Sequence, residues 1–431
     1  MAIRTLHARE LDTAKEIWLS CFDDQPAFVD WYFAHRVKPH EVMGYFQGAT
    51  EQSLLADLHL APYQIRLRNT VFPSAYLIAL ATRPAYRRRG IAKEILSYTL
   101  AHLAEKGVCF TILLPFDIKF YTRLGWGIIS RHQTIQLKSS PTDNRGDAAR
   151  ASSIPAKSHN GAEIQRFHRF TKAAPEIPPL QTVYEKWAEH FAGFLLREPR
   201  DWSGLLFDHY LDGGEVLLSG TRINGQAEPN GYALVLPTPK TTTIREIAYT
   251  TLEAGEKIFR YLCNGRYPGT CRRLDRAEPS EFIWTAPSND PLVDSMTGKA
   301  APKVFTELSL EKSPYMLGRI TDLPGFVRQL PHPDLTFHLR LEVHDPLLPQ
   351  NCGVFELYPG KNGRFGFAPS SGLPEISCGI SFLTGLLVGE TPSLTEPVDP
   401  PSSRLRVRGK KYLSLLRKVF PQTTNYFNDY F

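Results

Sequence analysis

The stretch from Leu77 to Gly127 limits what this 431-residue chain can fold into more than any other part of it. An apolar strand over Ala75–Leu80 runs into Arg87-Arg88-Arg89-Gly90-Ile91-Ala92, a turn of the form R-x-x-G-x-A. Ile91, Ile95, Leu96, Thr99, Leu100 and Leu103 then recur at helical spacing, which predicts a helix over Ile91–Glu105 with one buried face. Gly107 is placed to end that helix, and Val108–Leu114 reads as the next buried strand.

A helix N-terminus exposes unpaired backbone N–H groups and partial positive charge, so a strand-to-helix turn is a seat for phosphate. Gly90 and Ala92 keep bulk away from the backbone, and Arg87, Arg88 and Arg89 add forked donors suited to phosphate oxygens. The bland alternatives are a solvated basic turn or a nucleic-acid or nuclear-localisation patch. The strand before the turn and the one-sided helix after it favour a nucleotide-cofactor site.

Strand, phosphate turn, helix, strand and then an aromatic Tyr-Gly segment resembles the acetyltransferases of the GNAT superfamily. Phe120-Tyr121-Thr122-Arg123-Leu124-Gly125-Trp126-Gly127 is similar, more narrowly, to a segment of the Eis (enhanced intracellular survival) acetyltransferases. So are Arg245–Tyr249, the later His344-Asp345-Pro346-Leu347 and Asn351-Cys352-Gly353, and the aromatic tail Asn425–Phe431. The likeness runs through nearly the whole chain in the family's order. It implies acetyl-CoA as acyl donor, an amine acceptor of aminoglycoside, polyamine or lysine type, and a homo-oligomer, a hexamer in the family.

The resemblance also assigns site residues. The backbone of Leu80, Ala81 and Thr82 is expected to hold pantetheine. Arg87, Arg88, Arg89, Gly90, Ile91, Ala92 and Lys93 are expected to cradle the pyrophosphate, and Phe116 and Asp117 match a further cofactor contact. Tyr121 becomes the general acid for the departing thiolate, since a phenol of pKa ~10 is protonated at neutral pH. Local pattern alone slightly favours a buried tyrosine with a satisfied hydroxyl, and it is the resemblance that implies the acid role. The base is assigned to the α-carboxylate of Phe431, a group of pKa ~3.5 that gains basicity when desolvated. Phe28 and Trp31 belong to an aromatic cluster that walls the acceptor pocket in the family. Asp24, with Asp23 and Asp30, is placed to attract a cationic acceptor or is simply part of a solvated loop. Family members that act on aminoglycosides carry an acid just before the terminal Phe. Here that position is Tyr430, with Asp429 one place earlier.

Composition sets the remaining bounds. Apolar residues make up 42% and charged residues 22%, which indicates a globular protein, and the length predicts two to three domains. The net charge of +6, concentrated in Arg83–Arg89 and Arg404–Lys418, fits an anionic cofactor and not a genome-binding surface. Six cysteines form no C-x-x-C pair, and the histidines show no metal spacing. The N-terminus has no apolar leader and no run approaches the ~20 apolar residues of a membrane span, so the cytoplasm is the expected compartment. There is no H-E-x-x-H, G-x-S-x-G or P-loop.

The expected fold class is α/β and α+β: two tandem GNAT-like domains followed by a sterol-carrier-protein-like α+β domain. Residues 1–140 form the catalytic domain, and the polar stretch 141–162 is a linker. Residues 163–300 form a second GNAT-like domain. Its helix start, Thr-Thr-Leu-Glu-Ala-Gly-Glu-Lys after Tyr249, lacks R-x-x-G-x-A and holds two acids, so no cofactor site is expected there. An amphipathic helix is expected through Val183–Leu195, stopping before Pro199, and another over Thr251–Cys263. Residues 301–431 form the third domain, with strands at Leu335–Val343 and Gly353–Leu357 and helices at Phe382–Leu387 and Leu405–Phe420. The last helix reads as a docking helix carrying the tail back to the first domain, or as a membrane-surface helix. A rival to the enzyme reading makes the third domain a lipid or sterol-like carrier with the GNAT halves as scaffold.

Overall fold

The computed structural model describes residues 1–48, 53–139, 162–167, 177–223, 226–238, 240–263, 281–297, 305–390 and 405–429. The expected linker therefore lies, but for its last residue, outside the described residues, as do Tyr430 and Phe431. The chain forms two compact units. One comprises Met1–Ser130, Ala192–Leu196 and Pro314–Phe431; the other comprises Arg131–Phe191 and Arg197–Ser313.

In the first unit, β1 (Ala2–Thr5), β2 (Val42–Phe46), β3 (Leu54–Leu67) and β4 (Thr70–Thr82) form an antiparallel sheet in that order. The helices α1 (Leu11–Cys21) and α2 (Pro26–His35) precede β2. α1 packs Ala14 and Ile17 against Phe46 and Leu54 on one face of the sheet. α3 (Ile91–Glu105) packs Ile95, Leu96 and Leu100 against Leu58, Leu60 and Leu77 on the other. Each such buried aliphatic side chain contributes about 1.5–3 kcal/mol, and α3 has the boundaries its periodicity predicts. After α3 the chain returns as β5 (Phe110–Leu113), parallel to β4. The free edge of β5 is taken by Leu317–Ile320, antiparallel to it.

Residues from the later chain complete this unit. A second sheet runs in the order Phe365–Pro369, Gly353–Pro359, Leu339–His344, Ile376–Gly379, Arg406–Val407, with the buried helix Ile380–Val388 against it. The strand expected from Leu335 begins at Leu339. The helix expected over Leu405–Phe420 begins only at Lys410, because Arg406 and Val407 pair with Ser377 and Ile376. Gly193–Leu196 pairs antiparallel with Gln64–Leu67 of β3. The tail strand Asn425–Tyr426 pairs parallel with Gly193 and Phe194. Phe194 and Leu195 are thus strand residues and not the end of a helix, which stops at Ala188.

The second unit repeats the order of the first. Glu215–Ile223, Gln226–Pro237 and Thr241–Tyr249 are antiparallel neighbours. The helix Leu252–Cys263 then leads to Glu281–Pro287, which lies parallel to Thr241–Ile244. An unexpected helix, Pro199–Leu211, starts where the chain was expected to break. Its proline sits in the first turn, where no N–H is needed, and the side chain of Asp201 accepts the backbone N–H of Glu198. No helix among the described residues is long and apolar enough to cross a membrane.

Candidate active site

The site is built where β4 and β5 part. Their parallel pairing covers only Ser74–Tyr76 against Phe110–Ile112, yet β4 continues to Thr82. A bulge drives the separation: between Asp57 and His59 the β3–β4 register jumps, and Ala79 takes a φ of 51°. Beyond Tyr76 the β5-facing backbone of β4 has no strand partner among the described residues, and Leu80, Ala81 and Thr82 lie on that stretch. The Thr82 carbonyl accepts the Nε of Arg87 at 3.1 Å, which anchors the turn to the strand end.

The turn follows directly. Arg88 has a φ of 63° and Gly90, the residue before α3, a φ of 83°. The helical ladder opens with Lys93 and Glu94, whose N–H groups donate to the Gly90 carbonyl at 2.9 and 3.1 Å. The N–H groups of Gly90, Ile91 and Ala92 precede that ladder, and no side chain caps them. A Cβ at Gly90 would find its nearest neighbour 3.9 Å away, so glycine is required by the left-handed backbone and not by crowding. Arg87, Arg88, Arg89 and Lys93 are exposed around this concavity, with Arg89 stacked 5.1 Å over the Tyr86 ring and bonded to the Ala85 carbonyl. The Ile91 side chain is buried in the core, so only its backbone faces a ligand. One acid, Glu94, stands in the first turn, where it accepts the Tyr45 hydroxyl.

Tyr121 lies on α4 (Ile118–Arg123), the short helix after β5. Asp117 caps it, accepting the N–H groups of Lys119 and Phe120 at 2.8 and 3.2 Å; that is the side-chain role the structure gives Asp117. Phe116 is exposed beside it, its ring edge-on to Tyr121 at 5.4 Å. The Tyr121 ring is buried against Phe120 and Trp126, and that burial pushes the hydroxyl pKa up, so the phenol holds its proton. Its hydroxyl has no hydrogen-bond partner among the described residues. Behind it the chain is tightly constrained. Gly125 has a φ of 96°, and a Cβ there would meet Ile380 at 2.8 Å and the Arg319 guanidinium at 3.0 Å. Arg319 pairs with Asp345 with both side chains fully buried. Asp345 also accepts the N–H groups of Leu347 and Leu348 and the Asn351 amide.

Of the residues expected to wall an acceptor, Phe28 and Trp31 are neighbours on α2 with ring centroids 6.3 Å apart. Asp24 accepts the Trp18 Nε1–H at 2.8 Å, while Asp30 is spent on an exposed ion pair with Lys15. A buried polar tract on β3 was missed. Asp57 and His59 point away from α3, beneath α1 and α2, and are almost fully buried. Rings of Trp18, Tyr32 and Phe33 surround His59; burial lowers its pKa to about 3 and keeps it neutral. Burial raises Asp57 well above the usual carboxylate range. The two polar residues two apart inside Leu-Leu-Ala-Asp-Leu-His-Leu-Ala were the available signal, since period two puts them on one face.

The tail arrives on that same face. Asn425 donates to the carbonyls of Ile129 and Val388 at 2.9 and 3.0 Å, and Tyr426 through Asp429 are buried. Asp429 accepts the Tyr63 hydroxyl on Oδ2 at 2.7 Å, and its carbonyl accepts the Tyr76 hydroxyl at 3.2 Å. Tyr76 is the last residue of β4 that pairs with β5, so the tail reaches the fork itself.

The second unit has a corresponding parallel pair, but its own side chains fill the opening. The Tyr249 hydroxyl donates to Asp290, whose Oδ1 also takes the Leu292 N–H, tying the two strand ends together. Gly255 packs against Tyr249, and Thr251 caps the helix.

Residues 2–129 match the model of the acetyltransferase (GNAT) domain, and residues 323–427 that of the sterol carrier protein domain. The N-acetyltransferase Eis of Mycobacterium bovis is 25% identical over 378 residues, 85% of this chain and 82% of that protein. Among solved structures, a GCN5-related N-acetyltransferase from Anabaena variabilis superposes with a TM-score of 0.75 at 17% identity, covering 100% of both chains. Eis1 from Mycobacterium abscessus superposes with a TM-score of 0.71 at 18% identity, again over 100% of both. With the forked sheet, the uncapped glycine turn and the buried tail in place, residues 2–129 form an acetyltransferase (GNAT) domain, and the chain resembles the N-acetyltransferase Eis over most of its length.

Proposed function

We propose that the chain transfers the acetyl group of acetyl-CoA to the amine of a polyamine, aminoglycoside or lysine-type acceptor. The observation that carries this reading is the β4–β5 fork, flanked by the Gly90 turn on one side and the Tyr121 hydroxyl on the other. The β4 backbone at Leu80–Thr82 is open to the amides of pantetheine, and the N–H groups before α3, with Arg87–Arg89 and Lys93, suit the pyrophosphate. The neutral amine attacks the thioester carbonyl and the tetrahedral intermediate expels the thiolate. The buried phenol of Tyr121 donates the proton that the thiolate takes up. The amine's proton goes to the α-carboxylate of Phe431, two residues beyond the buried Asp429. Phe28, Trp31 and Asp24 wall the acceptor side. The second unit contributes no cofactor site, since Tyr249 and Asp290 fill the corresponding opening. The carrier reading rests on the sterol carrier protein domain matched over residues 323–427. A cavity of about 220 Å³ lies between α4 and the 344–352 and 379–381 segments, smaller than the ~300 Å³ at which small-molecule pockets begin.

The test is thiol release from acetyl-CoA with spermidine, kanamycin and a lysine peptide as acceptors. Turnover with any of them supports the enzyme. Tight binding of a fatty acid or sterol with no acetyl-CoA affinity supports the carrier.

A further inference from the structure

We infer that Asp429 is a positioning residue, clamped by Tyr63 and Tyr76 so that the tail is fixed beside the fork as far as Asp429, and that Arg36 links this clamp to the expected acceptor wall. The inference rests on the acetyl-transfer reading above. Asp429 is almost fully buried, and two phenols hold it from different strands: Tyr63 of β3 on the side chain, Tyr76 of β4 on the carbonyl. The two rings meet edge-on at 5.8 Å, so each limits the other's motion. With both its side chain and its carbonyl engaged, Asp429 has little freedom to rotate. Beyond the clamp the chain can extend by at most ~7 Å in two residues.

The Tyr63 oxygen does two jobs. It donates to Asp429 and accepts Nη2 of Arg36 at 3.2 Å, and that guanidinium also lies 5.5 Å from the Tyr63 ring centroid. Donation from a cation polarises the phenol and strengthens its bond to the carboxylate. Arg36 is the residue that ends α2, the helix carrying Phe28 and Trp31. Acceptor wall and tail are thereby joined through one chain of hydrogen bonds, Arg36 to Tyr63 to Asp429. A carboxylate engaged in this way is an anchor and not a free anion for the acceptor's ammonium.

The experiment compares full-length wild type with Tyr63→Phe, Asp429→Ala and Asp429→Asn. It reads kcat and KM with spermidine, kanamycin or a lysine peptide, acetyl-CoA affinity by calorimetry, and the rate at which carboxypeptidase removes the last residues. For Tyr63→Phe and Asp429→Ala, kcat is expected to fall about 100-fold, the effect of misplacing a reacting group by about an ångström. Acetyl-CoA affinity and melting temperature stay near wild type, and carboxypeptidase trims the tail faster. Asp429→Asn keeps an oxygen for Tyr63 and is expected to restore most of the lost rate. If Asp429→Asn instead raises KM for the cationic acceptor with kcat intact, Asp429 binds the ammonium and the inference is overturned. It is equally overturned if Tyr63→Phe keeps wild-type kcat and tail protection. Should wild type turn over none of the acceptors, the functional reading fails while carboxypeptidase still decides the clamp.

Discussion

Tyr63 and Asp429 stand 366 residues apart in sequence and share a buried hydrogen bond of 2.7 Å. The bond brings the tail onto the strand next to the one that forks. The candidate active site is therefore made from opposite ends of the chain: the turn and Tyr121 come from the N-terminal part, and the segment from Asn425 on comes from the last residues. Two further seams guide the tail to the fork, the Asn425–Tyr426 pairing with Gly193 and Phe194 and the Asn425 amide on Ile129 and Val388.

Gly90→Glu is expected to weaken acetyl-CoA binding by at least about tenfold, because a left-handed residue with a side chain costs ~1–2 kcal/mol before any charge repulsion is counted. Calorimetry on the folded variant measures it. Unchanged affinity rejects this turn as the pyrophosphate seat. Gly255 is no control, since its missing Cβ faces Tyr249 at 2.8 Å. Glu253→Lys, on the exposed helix start of the second unit, serves instead and is expected to leave affinity unchanged.

Tyr121→Phe is expected to lower kcat by ~10²–10⁴-fold with little change in acetyl-CoA affinity, since in the proposed mechanism the hydroxyl acts only as the thiolate leaves. Stopped assays of thiol release give the ratio. Near-normal turnover makes Tyr121 a packing residue between Phe120 and Trp126.

Extending the chain beyond Phe431 with a polyhistidine tag is expected to cripple turnover while leaving the melting temperature and acetyl-CoA affinity in place. The same tag at Met1 is expected to be harmless to the chemistry. Native turnover in the C-terminally tagged protein removes the carboxylate as base and shifts the search to a side chain such as Asp24.

Asp345→Ala is expected to destabilise the first unit by about 3–5 kcal/mol, because it leaves the fully buried Arg319 guanidinium without its partner. Urea denaturation followed by tryptophan fluorescence reads the loss. A change under 1 kcal/mol, on the order of a surface pair, contradicts the burial described here.

The second unit carries a pH dependence of its own. Burial raises the pKa of Asp290 from 3.8 to about 6. Between those values the folded form holds a proton that the unfolded form has released, so stability falls as pH rises from about 4 to about 6. The full effect is on the order of 3 kcal/mol. Denaturation curves over this range are expected to show the slope in wild type and to lose it in Asp290→Asn. An equal slope in both proteins means that Asp290 is not its source.

What the sequence determined by itself is whatever depends on neighbours a few residues away. The stripe from Ile91 to Leu103, the φ-permissive Gly90 and the break at Gly107 specify α3 and its turn, and these appear in the structure as read. The Tyr121 segment was legible too, because a short helix after a buried strand is a local pattern. Tertiary structure decided the rest. Leu195 fits a helical stripe as well as a strand, and became a strand because β3 offered an open edge at Ile65. Arg406 and Val407 left the predicted helix for the edge beside Ser377. Period two places Asp57, His59 and Tyr63 on one face of a strand, but nothing in the sequence announces that this face is buried or that Asp429 joins it. Their burial, and the pKa shifts that come with it, arise only when β3, α1, α2 and the tail pack together. Periodicity is local information, whereas desolvation and pairing depend on which distant segments exclude water from the same place.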